Sequence, residues 1–334
     1  MYRAARDTDA NRRIAVPVES VPVFSDLERA AERIAGHAHV TPVMRSLGLD
    51  VLSGAQLFFK CENLQRTGAF KFRGACNAVW SLAEGTAARG VVTHSSGNHG
   101  AALALAGRTR AIPVHVVVPH GAVKSKVAAI EAYGGIVHRC APTLVARETT
   151  AEQVRVVTGA TLVHPYADHY VIAGQGTAAL ELIGEVGELD AVIAPIGGGG
   201  LIGGTAIATS TRLAQARVFA AEPSGAADAH ASMQCGQRVT ELVPETLCDG
   251  LRGLIGAVNF SLLQAYAVTV LTIDDHATVA AMRLLWQRLK LVVEPSSAIV
   301  LAAILQYPQH FADRRVGVIL SGGNVDLDAL PWMH

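Results

Sequence analysis

The chain has 334 residues, with 28 basic and 28 acidic side chains and no formal net charge. That balance removes the electrostatic footprint of a nucleic-acid binder or a polybasic membrane anchor, and leaves a small molecule as the ligand class. Half of the residues are hydrophobic and only 17% are charged, so an ample core is available, and the length predicts two domains sharing one cleft.

The first stretch, 1–24, is polar and arginine-rich without an apolar segment of signal-peptide length, and reads as a flexible leader. Asp7, Asp9 and Glu19 argue against a transit peptide. β-Rich runs follow at 56–60, 91–93, 114–118, 136–139, 161–163, 191–196, 218–221 and 316–320, alternating with helical stretches such as 144–157 and 201–213. These runs are apolar throughout rather than alternating, the pattern of parallel strands covered by helices on both faces, so the fold class is α/β. Asp274 and Asp275 precede an amphipathic helix that runs to about Leu289. No run is long and apolar enough to span a bilayer. Cys61, Cys76, Cys140, Cys235 and Cys248 form an odd set without C-x-x-C spacing, which predicts free thiols in a reducing cytoplasm.

Four short segments carry the chemistry. In Ala69-Phe70-Lys71-Phe72-Arg73-Gly74 a lysine sits among apolar and small residues where a strand gives way to a helix. Desolvation favours the uncharged amine, which is the nucleophile toward a carbonyl. The bland reading of such a lysine is a snorkelling surface residue, and the other three segments weigh against it. His94-Ser95-Ser96-Gly97-Asn98-His99-Gly100 follows one strand, Gly197-Gly198-Gly199-Gly200 follows another, and Ser321-Gly322-Gly323-Asn324 follows a third. Four successive glycines before a helix let backbone N–H groups close on a phosphate. A rival reading takes Gly198, Gly200 and Gly203 as a dinucleotide fingerprint with Glu222 as its ribose acid. That fingerprint normally opens its domain, whereas here several strand–helix units precede it, and it leaves Lys71 and Ser321 without a role.

From about residue 25 to 326 the four segments, in this order, resemble the serine racemase and serine/threonine dehydratase family of fold-type II pyridoxal phosphate enzymes. The resemblance implies a tryptophan-synthase-β-like architecture of two open parallel-sheet domains with the cofactor in the cleft. A small domain, 90–167, would be inserted into a large one made of 25–89 and 168–334. It implies that Lys71, next to Phe70, carries pyridoxal 5'-phosphate, that Asn98 bonds the ring hydroxyl, that Gly197, Gly198, Gly199 and Gly200 hold the phosphate, and that Ser321 meets the pyridine nitrogen. It places the substrate carboxylate on Ser95, Ser96, Gly97 and His99, with Lys71 as the base on one face and Ser96 on the other. Ser95 and Ser96 read equally well as caps of the following helix. Glu222, Ala226 and Asp228 match a site for Mg2+ or Mn2+, and Arg147 matches an arginine that reaches the distal carboxylate of dicarboxylate ligands. Arg147 reads equally well as a solvated side chain near Glu148 and Glu152.

The implied activity is elimination of water and then ammonia from a β-hydroxy amino acid, L-serine, L-threonine or 3-hydroxyaspartate, by a cytoplasmic homodimer. Serine or aspartate racemisation is the alternative. Tyr166 and Gly253 stand where animal racemases carry asparagine and serine, which favours the dehydratase reading. Ala101 replaces a glutamine of the nucleotide-effector site, so ATP activation is not expected. With the chain ending soon after Ser321, no appended regulatory domain is expected.

Overall fold

The computed structural model describes residues 21–333. Most of the stretch read as a leader lies outside the described residues, and a helix opens at Phe24. Ten strands follow: β1 Val43–Met44, β2 Gln56–Cys61, β3 Val91–Thr93, β4 Val114–Pro119, β5 Ile136–Cys140, β6 Thr161–Leu162, β7 Ala191–Pro195, β8 Arg217–Pro223, β9 Thr269–Ile273 and β10 Arg315–Leu320. They form a six-stranded sheet of order β1-β2-β10-β7-β8-β9 and a four-stranded sheet of order β5-β4-β3-β6. Every pairing is parallel except β1 with β2. The chain makes β1 and β2, passes through the whole four-stranded sheet, then returns to complete the larger one.

The apolar runs are buried on both sides, as parallel strands require. In β7 and β8, Ala191, Ile193, Phe219 and Ala221 face the core under the helices Asp275–Leu289 and Pro295–Gln306. Their neighbours Val192, Ala194, Val218 and Ala220 face the opposite core, with the helices His169–Val186 and Gly200–Arg212. In the small sheet Val91, Val114, Val116 and Val118 pack with Phe72, Ala75, Cys76 and Val79 of the helix Lys71–Ser81. That helix follows a strand of the large sheet yet completes the core of the small one, so the lysine at its first position lies between the two. The predicted cap of the helix Asp275–Leu289 is present, with Asp274 Oδ1 accepting from the Ala277 N–H at 2.7 Å. Among the described residues no helix is long and apolar enough to cross a membrane.

Two strands escaped the sequence reading. β1 is two residues long and antiparallel at the sheet edge, too short to leave a periodic signal. β9, Thr-Val-Leu-Thr-Ile, is the opposite edge, and its half-exposed Thr269 and Thr272 break the continuous apolar run that marks a central strand.

Candidate active site

After β2 the chain makes two short 3-10 turns, Glu62–Leu64 and Arg66–Gly68, before the helix that opens at Lys71. The segment is pinned to the end of β10: the Phe70 N–H donates to the Ser321 carbonyl at 2.9 Å, and Ala69 bridges Gly322. The Lys71 amine donates to the Pro165 carbonyl at 2.9 Å and lies 5.0 Å from the Phe70 ring centroid. Burial pulls its pKa down from 10.5 to about 8. A reactive amine is therefore available near neutral pH, the condition for attack on a carbonyl and for taking a proton from carbon.

Asn98 opens the helix Asn98–Arg110 after β3. Its side-chain orientation follows from the bonds around it: Nδ2 donates to Glu294 Oε1 at 2.9 Å, while Oδ1 accepts from Asn324 Nδ2 at 3.0 Å. Asn324 Nδ2 is itself held by the Thr67 carbonyl at 2.7 Å. The second N–H of Asn98 thus remains for a ring hydroxyl. Glu294 was not singled out from sequence. It precedes Pro295 at the start of an apolar helix, where an acid reads as an ordinary cap. In the fold it is 3% exposed, and burial, followed by the charge of Asp249, lifts its pKa from 4.5 to about 8.

The tetraglycine lies between β7 and the helix Gly200–Arg212. Gly199 has φ +91°, and a Cβ there would come 2.6 Å from Asn259 Cβ. A Cβ on Gly198 would overlap the Tyr166 ring. Asn259 Nδ2 donates to the carbonyls of Gly198 at 2.6 Å and Tyr166 at 2.8 Å. With the Gly198 carbonyl tied back, the first N–H groups of the following helix are left for an anion. The cradle fits a phosphate, the lysine fits an aldehyde, and both lie at the carboxyl ends of parallel strands, where open α/β sheets bind ligands.

Ser95, Ser96 and Gly97 are half-buried in the loop before Asn98, with the Gly97 N–H 3.5 Å from Ser95 Oγ. His99 is only 1% exposed and burial keeps it neutral. What it offers a carboxylate is the backbone N–H of a helix's first turn. Arg147, on the helix Leu144–Thr158, departs from the picture of a solvated arginine. Its Nε is buried without a hydrogen bond, and its charge acts on His94 and Tyr166. On the same helix Glu152 pairs with Arg155 at 2.7 Å. Gly253 has room for a side chain, since a Cβ there would lie 3.5 Å from the Tyr166 ring.

Glu222, at the end of β8, accepts from the N–H groups of Ala229 and His230, each at 2.8 Å, and Asp228 Oδ2 accepts from the Ile255 N–H at 2.7 Å. A regular helix would aim the His230 N–H at the Ala226 carbonyl, which is instead left open. Burial, and then the charge of Asp228, raises Glu222 from 4.5 to about 8. Two carboxylates and a free carbonyl with unspent oxygen lone pairs suit a hard divalent cation. With Glu222 committed to these N–H groups, it is not the ribose acid of a dinucleotide fold.

Taken together, the geometry defines an enzyme of the α/β class whose buried lysine, phosphate cradle and oriented amide surround a carbonyl-bearing phosphate cofactor. Residues 34–322 match the family of pyridoxal-phosphate dependent enzymes, and the chain belongs to that family. It is 48% identical over 312 residues to the beta-hydroxyaspartate dehydratase of Paracoccus denitrificans, covering 93% of this chain and 99% of that one. It is 46% identical over 313 residues to the serine racemase of Dictyostelium discoideum, covering 92% and 96%. Among solved structures it is similar to maize serine racemase, with a TM-score of 0.91 at 43% identity over 92% of this chain and 95% of the other. A bacterial-type threonine deaminase from T.th. gives a TM-score of 0.86 at 39% identity, covering 91% and 99%. These neighbours have the fold-type II architecture, and this chain shares it.

Proposed function

We propose that this chain is a pyridoxal-phosphate-dependent ammonia-lyase that prefers 3-hydroxyaspartate to serine and threonine. The cofactor, once bound, supplies the electron sink for the substrate α-carbon. The protein supplies the rest. Backbone N–H groups of residues 97–100, with the Ser95 and Ser96 hydroxyls, receive the α-carboxylate, and Lys71, its pKa near 8, takes the α-proton. The β-hydroxyl leaves as water, and hydrolysis of the resulting enamine gives a keto acid and ammonia. Asn98, held by Glu294 and Asn324, orients the ring through its hydroxyl, and Ser321 meets the pyridine nitrogen.

Arg147 carries the choice of substrate. Its guanidinium, with a buried Nε that has no partner, gains most from a second carboxylate, and the relative from Paracoccus is named for such a substrate. The test is the ratio of kcat/KM for 3-hydroxyaspartate to that for serine. Arg147→Ala is expected to cut the dicarboxylate value by roughly 10- to 100-fold, the worth of one charged hydrogen-bonded contact, while sparing serine. An unchanged ratio removes Arg147 from the site. In the wild type, borohydride should fix the cofactor on Lys71, and Lys71→Ala should remove turnover.

Racemisation is the second reading, supported by the Ser96 hydroxyl on the loop facing Lys71. Ser96→Ala should keep elimination of the L-substrate and lose racemisation together with D-elimination, and equal loss of both would leave Ser96 a binding residue. Tyr166 and the unsubstituted Gly253 weigh for elimination as the main activity. Mg2+ or Mn2+ at Glu222, Ala226 and Asp228 completes the cofactor set. A homodimer is supported by Leu47, Val51 and Leu52, exposed on the helix Leu47–Ser53 beside the sheet edge. The five unpaired cysteines support a cytoplasmic setting.

A further inference from the structure

The acceptor of the Lys71 amine is a backbone carbonyl in a turn, at Pro165, and a turn offers no rigidity of its own. What fixes this turn is a histidine. His164 Nδ1 accepts the N–H of Ala167 at 3.0 Å and that of Tyr166 at 3.4 Å. It does with an imidazole what an asparagine or aspartate oxygen does in an Asx turn. The imidazole is also locked from outside. Its ring meets the Tyr166 ring edge-on at 4.5 Å and the His94 ring at 5.1 Å, the latter just before the serine loop. The turn so fixed presents three groups at once: the Pro165 carbonyl to Lys71, the Tyr166 ring to Gly198, and the Tyr166 carbonyl to Asn259 Nδ2 at 2.8 Å.

We propose that His164 is the positioning residue of this site. As the Nε2–H tautomer it holds the 164–167 turn, and through it sets both the Lys71 amine and the closed face of the phosphate loop. A nitrogen that accepts two backbone N–H groups carries no proton of its own, so the neutral ring must bear its hydrogen on Nε2. The cation would place a third N–H against two donors and expel the turn. Burial, with the charges of His94 and Lys71, keeps His164 neutral by drawing its pKa down to about 3. The inference rests on Lys71 being the reacting amine, and it assigns His164 no contact with substrate.

Two measurements test it on the holoenzyme. With 15N-labelled histidine, the His164 signals, identified by their loss in His164→Asn, should report a bare, hydrogen-bonded Nδ1 and a protonated Nε2, unchanged from pH 8 to pH 5. A protonated Nδ1, or titration near neutral pH, overturns the proposal whatever reaction the enzyme performs. Kinetically, His164→Leu keeps bulk and loses the acceptor, so kcat should fall about 100-fold, the effect of a displacement on the order of 1 Å, with KM changed by less than about threefold. His164→Asn restores an acceptor for the same N–H groups and should recover most of that loss. Equal loss in both variants, or none in either, overturns the role. Should His164→Leu fail to fold, the tautomer and the asparagine variant still decide. If Lys71→Ala instead retained turnover, the proposed function would fall while the tautomer result stood on its own.

Discussion

Glu294 is an acid that the fold keeps from ionising at ordinary pH, and that has a consequence in stability. Its carboxyl rises from 4.5 to about 8 on folding. Between those values the folded chain holds a proton that the unfolded chain has lost, so this group's contribution falls as pH climbs from about 4.5 to 8 and is flat beyond. Glu294→Gln removes the slope. The difference in Tm between variant and parent should move in favour of the variant as pH rises from 5 to 8, while Glu222, shifted in the same direction, cancels in the comparison. Parallel profiles would show that the carboxylate is already charged in the native state. Lys71, Asn98, the four glycines and Ser321 could be read from sequence because each belongs to a string of small residues following an apolar run. Glu294 and His164 could not. The first acts on Asn98 across 196 positions of chain, and the second acts through its own backbone, where no spacing rule points.

At the scale of elements, the loop and helix after β8 carry a site built from local geometry. Glu222 takes the N–H groups that would otherwise close the first turn of the helix Asp228–Cys235, and this leaves the Ala226 carbonyl open. A divalent ion there binds only the folded chain, so chelation should lower Tm, and Mg2+ or Mn2+ at 100 times its Kd should restore about 2.7 kcal/mol. Asp228→Ala should abolish that response, and indifference of the parent to chelator and metal alike would return the segment to the status of a loop. The helix Asp275–Leu289 offers a control remote from this chemistry. Asp274→Ala should cost about 1 kcal/mol in urea unfolding and leave kcat and KM unchanged. The cap was legible because two acids precede a regular apolar stripe, whereas the edge strands β1 and β9 were not, since edges lack the two-sided burial that makes central strands conspicuous.

The whole molecule must hold Lys71 at a junction, because its helix completes the core of one sheet while its first turn belongs to the other. A buried charge network joins them. Arg73, two residues beyond Lys71 and fully buried, donates to both carboxylate oxygens of Glu62 at 2.7 and 2.8 Å and to both of Glu181 at 2.7 Å. Lys60, on β2 and also fully buried, meets Glu181 at 2.6 Å. Two cations thus face two anions across β2, the lysine helix and the helix His169–Val186. Replacing such a network with apolar residues can be neutral, but removing one partner leaves an uncompensated buried charge. Arg73→Met should therefore cost about 3–5 kcal/mol, since Glu62 has no route to water. Arg73→Lys should recover little, because one ammonium cannot replace a fork that engages two carboxylates. Adding Glu62→Leu to Arg73→Met should return part of the loss by removing the stranded acid. Urea unfolding of the four proteins measures the coupling. A loss below about 1 kcal/mol for Arg73→Met alone would mean that water reaches Glu62, and that apolar packing of the lysine helix, not its charges, joins the two sheets.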